Sequence, residues 1–346
     1  MRQLGLPIAQ CSIAAALAWL VATQVFGHAR PFFAPIAVII CIGVGLGQQR
    51  LRRVVELVVG VSLGIGVGDL LVNTIGTGAW QLALVLGLAM IAAVLLGGGP
   101  LIVLQAGSSA VLVATLLPPG GTAGVDRMID SLIGGLLGLA AIAVLPGNPP
   151  GVARKHAVGL IGELTVALNT AADALEARDA EQAAQALRRI RTQQPIDDFR
   201  DALRTAREIQ AISPLHRRHR HVLRSYLDAA APLDHALRNC RVLLRRTRSA
   251  LVDDEPAAPD LVTGLRDLAR ATELLAENLG GPTGAVRKAL TEAAATVDSD
   301  SLAHSGFSGQ VIAAQLRSMA VDLLQATGLR HDEARALLPT IGRQEG

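Results

Sequence analysis

Long apolar stretches fill the first half of this 346-residue chain, and the second half has a different, amphipathic pattern. A transmembrane helix needs about 20 predominantly apolar residues to cross the hydrocarbon core of a bilayer. Six stretches are predicted to be such helices: 8–26, 31–47, 54–75, 80–96, 100–117 and 125–145. They are continuous runs without period-two alternation, so helices rather than barrel strands are predicted. No comparable stretch is expected after residue 151.

The second half has the periodicity of amphipathic helices. Leu160, Leu164 and Leu168 recur at helical spacing, with alanine and charged residues on the other faces of the chain from Val152 onward. Clusters of acidic residues, proline and glycine at 253–259 and 280–282 indicate helix ends, and no alternating run indicates a strand. The predicted fold class is therefore all-α, with a six-helix transmembrane domain over residues 1–150 and a cytoplasmic helical bundle over residues 151–346.

Charged residues are rare before residue 152, and their positions predict the orientation of the helices in the membrane. With the N-terminus in the cytoplasm, the inner loops hold six basic residues: Arg2, Arg50, Arg52, Arg53, Arg154 and Lys155. The outer side then holds only Arg30 and Arg127, as the positive-inside rule requires. Arginine supplies nearly all the positive charge, which is typical of a GC-rich bacterial genome. We therefore expect a multi-pass protein of the bacterial plasma membrane with both termini in the cytoplasm.

Composition and motifs exclude several classes of function. The net charge of +3 is small and no basic stripe carries interleaved aromatic residues, so nucleic acid is not an expected partner. Cys11, Cys41 and Cys240 form no spaced pair that would predict a disulfide framework or a zinc site. No Walker loop, nucleophile elbow or zinc-protease motif is present. The sequence therefore predicts neither an enzyme nor a bound cofactor or metal ion.

A histidine- and arginine-rich segment at residues 216–224 allows three interpretations. His216 and His219 have the i, i+3 spacing of a helical metal site. The same charges could instead contact anionic lipid headgroups. The third interpretation, a solvated basic helix face, is favoured because no carboxylate ligand lies nearby in sequence.

Two of the apolar stretches begin with the same pattern, Arg-x-x-acid-x-x-x-Gly-x-x-x-Gly. The first copy comprises Arg53, Glu56, Gly60 and Gly64, and the second comprises Arg127, Asp130, Gly134 and Gly138. Three helices per copy is an odd number, which predicts a 3+3 inverted repeat like those that build transporter pathways. The alternative is coincidence, because an arginine–acid pair can anchor a helix at the headgroups and Gly-x-x-x-Gly is common in membrane helices.

Other polar and small residues within the apolar stretches are candidates for function or for packing. Gly68 continues the four-residue spacing of Gly60 and Gly64, which predicts a flat face for close helix packing. Asp69 lies inside the third stretch, where a carboxylate usually faces a cavity or a partner. Gln105, Ser108 and Ser109 could line a pathway or form hydrogen bonds with neighbouring helices. Phenylalanines 26, 32 and 33 and Trp80 are predicted to form an aromatic belt at the outer interface.

The order of these features resembles the fusaric-acid-resistance-like, or aromatic acid exporter, superfamily. The resemblance rests on Pro31-Phe-Phe-Ala-Pro35, on Gln48-Gln49-Arg50-Leu-Arg52-Arg53 and on the glycine-rich stretch from Gly60 to Gly68. The layout is also similar to that of the plant aluminium-activated malate transporters. The resemblance implies outward movement of organic anions, aromatic carboxylates among them. Some bacterial members carry two membrane units, so the single unit here implies a homodimer or a higher homo-oligomer.

These features favour a transporter of small organic anions in the lipid bilayer. Arg53 and Arg127 would attract carboxylates at the two mouths of the pathway, because the planar guanidinium binds both carboxylate oxygens. Glu56, Asp69 or Asp130 could exchange protons and couple export to the proton gradient. A passive anion channel remains an alternative. A further alternative is a membrane-anchored protein whose cytoplasmic bundle performs an interaction or sensing function.

Overall fold

The computed structural model describes residues 5–42, 50–116, 123–144, 149–212, 220–297 and 305–339. Within these ranges the chain forms fourteen helices and no strand, which confirms the all-α fold class. The helices belong to two compact units. One unit consists of residues 1–147 and 208–217, and the other of residues 148–207 and 218–346. Residues 216–219 of the histidine- and arginine-rich segment 216–224 lie outside the described residues, as does the side chain of Arg53.

The first unit contains a helix at each of the six predicted apolar stretches. These helices are α1 (Gly5–Gln24), α2 (Phe33–Ile42), α3 (Arg50–Ile75), α4 (Ala79–Leu95), α5 (Pro100–Leu116) and α6 (Ala123–Val144). The ends that the structure describes lie within a few residues of the predicted ends, and the predicted ends of the second, fifth and sixth stretches, residues 47, 117 and 145, lie outside the described residues. Apolar runs of this length form helices because a helix satisfies its own backbone hydrogen bonds.

By length and composition, two helical segments of the described chain are long and apolar enough to cross a membrane, Val55–Ile75 and Pro150–Ala177. Four shorter apolar helices accompany them: Ile8–Gln24, Phe33–Ile42, Ala79–Leu95 and Pro100–Thr115. The expectation that no such stretch follows residue 151 was therefore wrong. The second segment belongs to a core helix of the other unit, with about half of its side chains buried, so its apolar residues serve the bundle core.

Glycine faces determine which helices pack together in the first unit. Helix α3 packs on α5, where Gly60 lies against Ile102 and Gln105, and Gly64 lies against the backbone of Ala106. Helix α6 packs in the same way on α2, where Gly134 lies against Ala34 and Ala37, and Gly138 against Val38 and Cys41. A Cβ atom added at Gly60 or Gly138 would come within 2.8 Å of the facing helix, and one at Gly68 within 3.1 Å. These glycines therefore permit close backbone approach.

The second unit is a bundle of helices around one leucine- and alanine-rich core. Its helices are α7 (Pro149–Ala177), α8 (Ala180–Arg189), α9 (Gln194–Ile212), α10 (Arg220–Val252), α11 (Pro259–Glu277), α12 (Gly284–Ala295), α13 (Phe307–Ala326) and α14 (His331–Ala336). Residues 208–212 at the end of α9 are grouped with the first unit. Helix α7 packs on α11 and α10, and α10 packs along α13. Fully buried residues such as Leu164, Leu168, Leu237 and Leu244 fill the interior.

Asp322 and Cys240 are two of the titratable groups that are buried in this bundle. Asp322 on α13 accepts a hydrogen bond of 2.7 Å from the Asn239 amide on α10. Burial raises the pKa of Asp322 to about 6, and the hydrogen bond from Asn239 and the charges of His235 and His331 moderate the increase. Burial also raises the pKa of the Cys240 thiol to about 12. Neither group has the surroundings of a reactive centre: Asp322 is held by an amide and Cys240 is enclosed by the core.

Candidate functional site

Arg127, near the start of α6, lies against two aromatic rings at the start of α2. Its guanidinium carbon is 5.3 Å from the centroid of the Phe32 ring and 5.5 Å from that of Phe33. The two rings are themselves 4.9 Å apart and tilted by 38°. Phe33 is buried in the first unit, so it does not belong to an exposed aromatic belt as the sequence predicted. A guanidinium next to two ring faces is held by cation–π attraction, which is stronger where water is excluded.

The guanidinium of Arg127 is almost fully buried and incompletely satisfied. Arg127 is only 6% exposed, and its Nη1 atom has no hydrogen-bond partner within the described part of the chain. No ion pair joins it to Asp130 among the described residues, although the i, i+3 spacing would allow one. A buried, unpaired cationic donor is energetically costly in isolation. An anion beside Nη1 would satisfy this donor with a charge-assisted hydrogen bond.

Asp130 instead pairs with a histidine 102 residues earlier in the chain. The distance from His28 Nδ1 to Asp130 Oδ1 is 2.6 Å, and His28 Nε2 lies 3.6 Å from Asp126 Oδ1. Asp130 is 3% exposed, whereas the Asp126 side chain is 41% exposed. The imidazole thus lies between an interior carboxylate and a surface carboxylate, one turn apart on α6.

The end of α1 positions His28. Gly27 adopts a φ of +71°, a left-handed conformation that glycine accepts without strain. The backbone N–H of His28 then donates to the carbonyl of Ala22 over 3.1 Å, which closes the helix end. On the facing helix, Asp126 and Asp130 have i, i+4 spacing and so project from the same side of α6. The imidazole therefore reaches both carboxylates from a fixed turn.

The contacts given for the polar residues of α5 do not include Arg127, His28 or Asp130. Gln105 and Ser109 are buried, Gln105 lies against Gly60, and the Ser109 hydroxyl has no hydrogen-bond partner within the described chain. Ser108 is largely exposed and donates to the Gln105 carbonyl of its own helix over 3.2 Å. The Ser109 hydroxyl is thus buried without a partner in the described chain, whereas the Ser108 hydroxyl is paired within its own helix.

The remaining predicted residues on α3 have different degrees of exposure. Glu56 is half-buried and Asp69 is exposed. The structure therefore brings together Arg127 and Asp130 among the predicted residues, and adds His28, Asp126, Phe32 and Phe33. Sequence reasoning missed His28 as a site residue, because a single histidine in a loop has no motif around it. The one available signal was its place after Gly27 at the end of an apolar stretch that otherwise lacks charged residues.

The first unit combines apolar helices with a buried arginine and a histidine–carboxylate pair. Comparisons with known proteins identify the family of the chain. The model of the family described as fusaric acid resistance protein-like matches residues 16–141. The chain belongs to this family.

Individual relatives extend this result. An uncharacterized protein of Corynebacterium glutamicum is 35% identical over 342 residues, which cover 96% of this chain and 87% of that protein. A candidate arylamide transporter of Mycobacterium tuberculosis is 34% identical over 149 residues, 41% of each chain, and one of Mycobacterium bovis matches equally. The chain therefore shares nearly its whole length with the first relative and less than half with the mycobacterial ones.

Proposed function

We propose that this protein is a transporter that exports small organic anions across the bacterial plasma membrane. In this proposal α1–α6 are six transmembrane helices, both termini are cytoplasmic, and residues 151–346 form a cytoplasmic bundle. The working unit is a homodimer or a higher homo-oligomer. The single observation that carries the proposal is the buried guanidinium of Arg127 with its unpaired Nη1 atom.

The surroundings of Arg127 favour an aromatic carboxylate as substrate. A guanidinium presents parallel N–H donors that match the two oxygens of a carboxylate, and this charge-assisted pairing is stronger in a site that excludes water. Phe32 and Phe33 offer ring faces beside the same guanidinium. A benzoate-like anion would satisfy the unpaired donor with its carboxylate and pack its ring on the phenylalanines.

Three acidic residues are candidates for coupling this movement to protons. Asp130 is the first candidate because it is buried one turn from Arg127 and is already paired with a titratable imidazole. Glu56 holds the corresponding place in the other copy of the Arg-x-x-acid motif, and Asp69 lies further along α3. In a passive channel the same arginines, Arg53 among them, would attract anions without a proton-coupled step.

The packing of the glycine motifs supports the proposed 3+3 inverted repeat. Gly60 and Gly134 occupy the same place in the two motifs, and each lies against the middle helix of the other set of three. Gly60 contacts Ile102 and Gln105 of α5, and Gly134 contacts Ala34 and Ala37 of α2, with the same spacing of three. Two related halves of this kind would place a pathway at their interface, where Gln105 and Ser109 supply polar atoms.

A second candidate function, ligand sensing by the bundle, is favoured by one groove. It has a volume of about 570 Å³ and lies between α7 and α8, within the range of small-molecule sites. Glu163, Gln182, Gln185 and Arg189 contribute polar groups to it, and Ala167 and Ile190 contribute apolar ones. In that case the helices of the first unit would anchor a sensor.

Anion flux into proteoliposomes that contain only this protein tests the proposal. Benzoate-like acids, malate and chloride would be compared with and without an imposed pH gradient. Arg127→Gln should reduce flux of aromatic acids at least tenfold, while Arg30→Gln, which removes an exposed arginine before α2, should leave it within about twofold. Absence of flux from folded protein, or equal flux in the two variants, would contradict the proposal and favour the sensing alternative.

A further inference from the structure

One histidine, His28, lies between the surface and the interior of the first unit. The side chain of His28 is only about 10% exposed. It contacts Asp130 through Nδ1 at 2.6 Å and approaches Asp126 through Nε2 at 3.6 Å. The two carboxylates differ sharply in exposure, because the Asp130 side chain is 5% exposed and the Asp126 side chain is 41% exposed. An imidazole between two such groups has the arrangement of a proton shuttle.

We propose that His28 relays protons between Asp126 at the surface and Asp130 in the interior, next to the guanidinium of Arg127. This inference rests on the proposed anion transport, and it adds the route by which protons reach the coupling carboxylate. Asp126 collects protons from water, His28 transfers them, and Asp130 holds them beside the anion site.

Each transfer moves one proton onto the imidazole and one proton off it. A neutral imidazole begins with its proton on Nδ1, which is hydrogen-bonded to the Asp130 carboxylate. Nε2 accepts a proton from the Asp126 carboxyl group, or from a water beside it, as Nδ1 releases its proton to Asp130 Oδ1. The ring ends as the neutral Nε2–H tautomer, Asp126 is again a carboxylate, and Asp130 is a carboxylic acid. The reverse transfer, as Asp130 loses its proton, restores the starting tautomer.

The consequence for transport follows from charge. Asp130 lies on the same face of α6 as Arg127. When Asp130 is ionised, its negative charge reduces the attraction of the guanidinium for an anion. When Asp130 is protonated, that competing negative charge is gone. Proton transfer through His28 thus changes the strength with which Arg127 attracts an anion.

The other charged groups around His28 do not provide the same route. Helices α1 and α2 carry no aspartate, glutamate, lysine or arginine in their described spans, and Cys11 and Cys41 are their buried thiols. Arg30 is an exposed cation in the loop that holds His28. Helix α3, which packs on α2 and α6, contributes Glu56 and Asp69. Among the described residues, His28 forms its two carboxylate contacts with α6 alone.

His28→Asn is the informative variant, because the asparagine amide can still donate to Asp130 from about the position of Nδ1 but cannot transfer a proton. In proteoliposomes, exchange of labelled for unlabelled anion without a pH gradient should fall by a smaller factor than flux driven by a pH gradient. Flux driven by a pH gradient should fall at least tenfold. Asp126→Asn should lower the driven flux severalfold. His156→Asn, which removes a half-buried histidine of α7, is the matched control.

A rate measurement in detergent separates a relay from a structural role. Adding the anion to protein with a pH indicator in a stopped-flow instrument should show the same total proton uptake in wild type and His28→Asn, but at least tenfold slower in the variant. Equal rates would overturn the relay, and so would loss of both exchange and driven flux, which would assign His28 a structural role. If wild-type protein moves no anion, the proposed function fails and the relay fails with it. If wild type transports and His28→Asn is fully coupled, the relay alone fails.

Discussion

Replacing Gly64 by alanine should destabilise the first unit, because the added methyl group has no room between α3 and α5. An ideal Cβ atom at Gly64 would lie 2.9 Å from both the Cα and the carbonyl carbon of Ala106, and closer still to its carbonyl oxygen. All three atoms belong to backbone, so no side chain can rotate away. The two helices must therefore separate to admit the methyl group.

The size of the effect follows from the separation required. Ordinary van der Waals contact begins at about 3.4 Å, so the helices must move apart by roughly 0.5 to 1 Å. A gap of that size forfeits a quarter to a half of the dispersion energy along the contact. Overpacking in a close-packed interior costs about 1–3 kcal/mol. The higher helix propensity of alanine offsets about 1 kcal/mol of this at most.

Gly66, two residues along the same helix, supplies the matched control. An added Cβ atom at Gly66 has nothing within 4 Å, so Gly66→Ala tests the change in propensity without a clash. Thermal unfolding of the purified protein in detergent, followed by size-exclusion fluorescence, should give a melting temperature roughly 5 °C lower for Gly64→Ala than for Gly66→Ala, at about 2–4 °C per kcal/mol for a unit of this size.

Equal melting temperatures for the two variants would refute the reasoning. That result would mean that α3 and α5 are not in close contact at Gly64 in the folded protein. A lower melting temperature in both variants would point instead to a general intolerance of α3 to alanine. The close contact with Ala106 would then not explain the effect at Gly64.

Three further predictions follow from other contacts. Gly134→Ala should lower the melting temperature while Gly87→Ala, with open space at its Cβ position, should not; the same detergent assay decides, and equal shifts would contradict the packing of α6 on α2. Burial raises the folded-state pKa of Asp322 to about 6 against 3.8 unfolded, so its contribution to stability is fully present below about pH 4 and is lost as pH rises through 6. The unfolding free energy of wild type should therefore fall by roughly 2–3 kcal/mol relative to that of Asp322→Asn from pH 4 to pH 7. A difference that does not change with pH would refute this. Cys240, buried and with a pKa raised to about 12, should resist maleimide in the native protein and react once it is unfolded, whereas rapid native labelling would contradict its burial.

Much of the fold was predictable because continuous apolar runs permit few structures. Six stretches of the first half had the length and composition of helices, and a helix is described at each of them. The spacing of Gly60 and Gly64 also predicted a flat packing face. The partner of that face was not predictable, since α3 packs on α5 rather than on an adjacent helix alone, and sequence spacing within one helix carries no information about its neighbour.

The candidate site was predictable only in part, for a similar reason. The pattern around Arg127 and Asp130 identified both residues, and their i, i+3 spacing suggested that they pair with each other. In the tertiary structure Asp130 instead contacts His28, and Arg127 packs against two phenylalanine rings. His28 lies 102 residues from Asp130, and one sequence without a motif cannot indicate a contact at that distance. The Pro150–Ala177 segment shows the converse, because its composition passes the membrane criterion while it forms part of the core of the second unit.

The packing partners of the two glycine-bearing helices limit when the first unit can complete its folding during synthesis. The glycines of α3 pack on α5, and α2 is packed by the glycines of α6, which is the last of the six helices to be made. A nascent chain that ends after three helices therefore has two unpaired packing faces, and one that ends after five still has one. Chains truncated before residue 123 should consequently be recognised as unassembled by membrane proteases, and a separately expressed α6 segment should protect them.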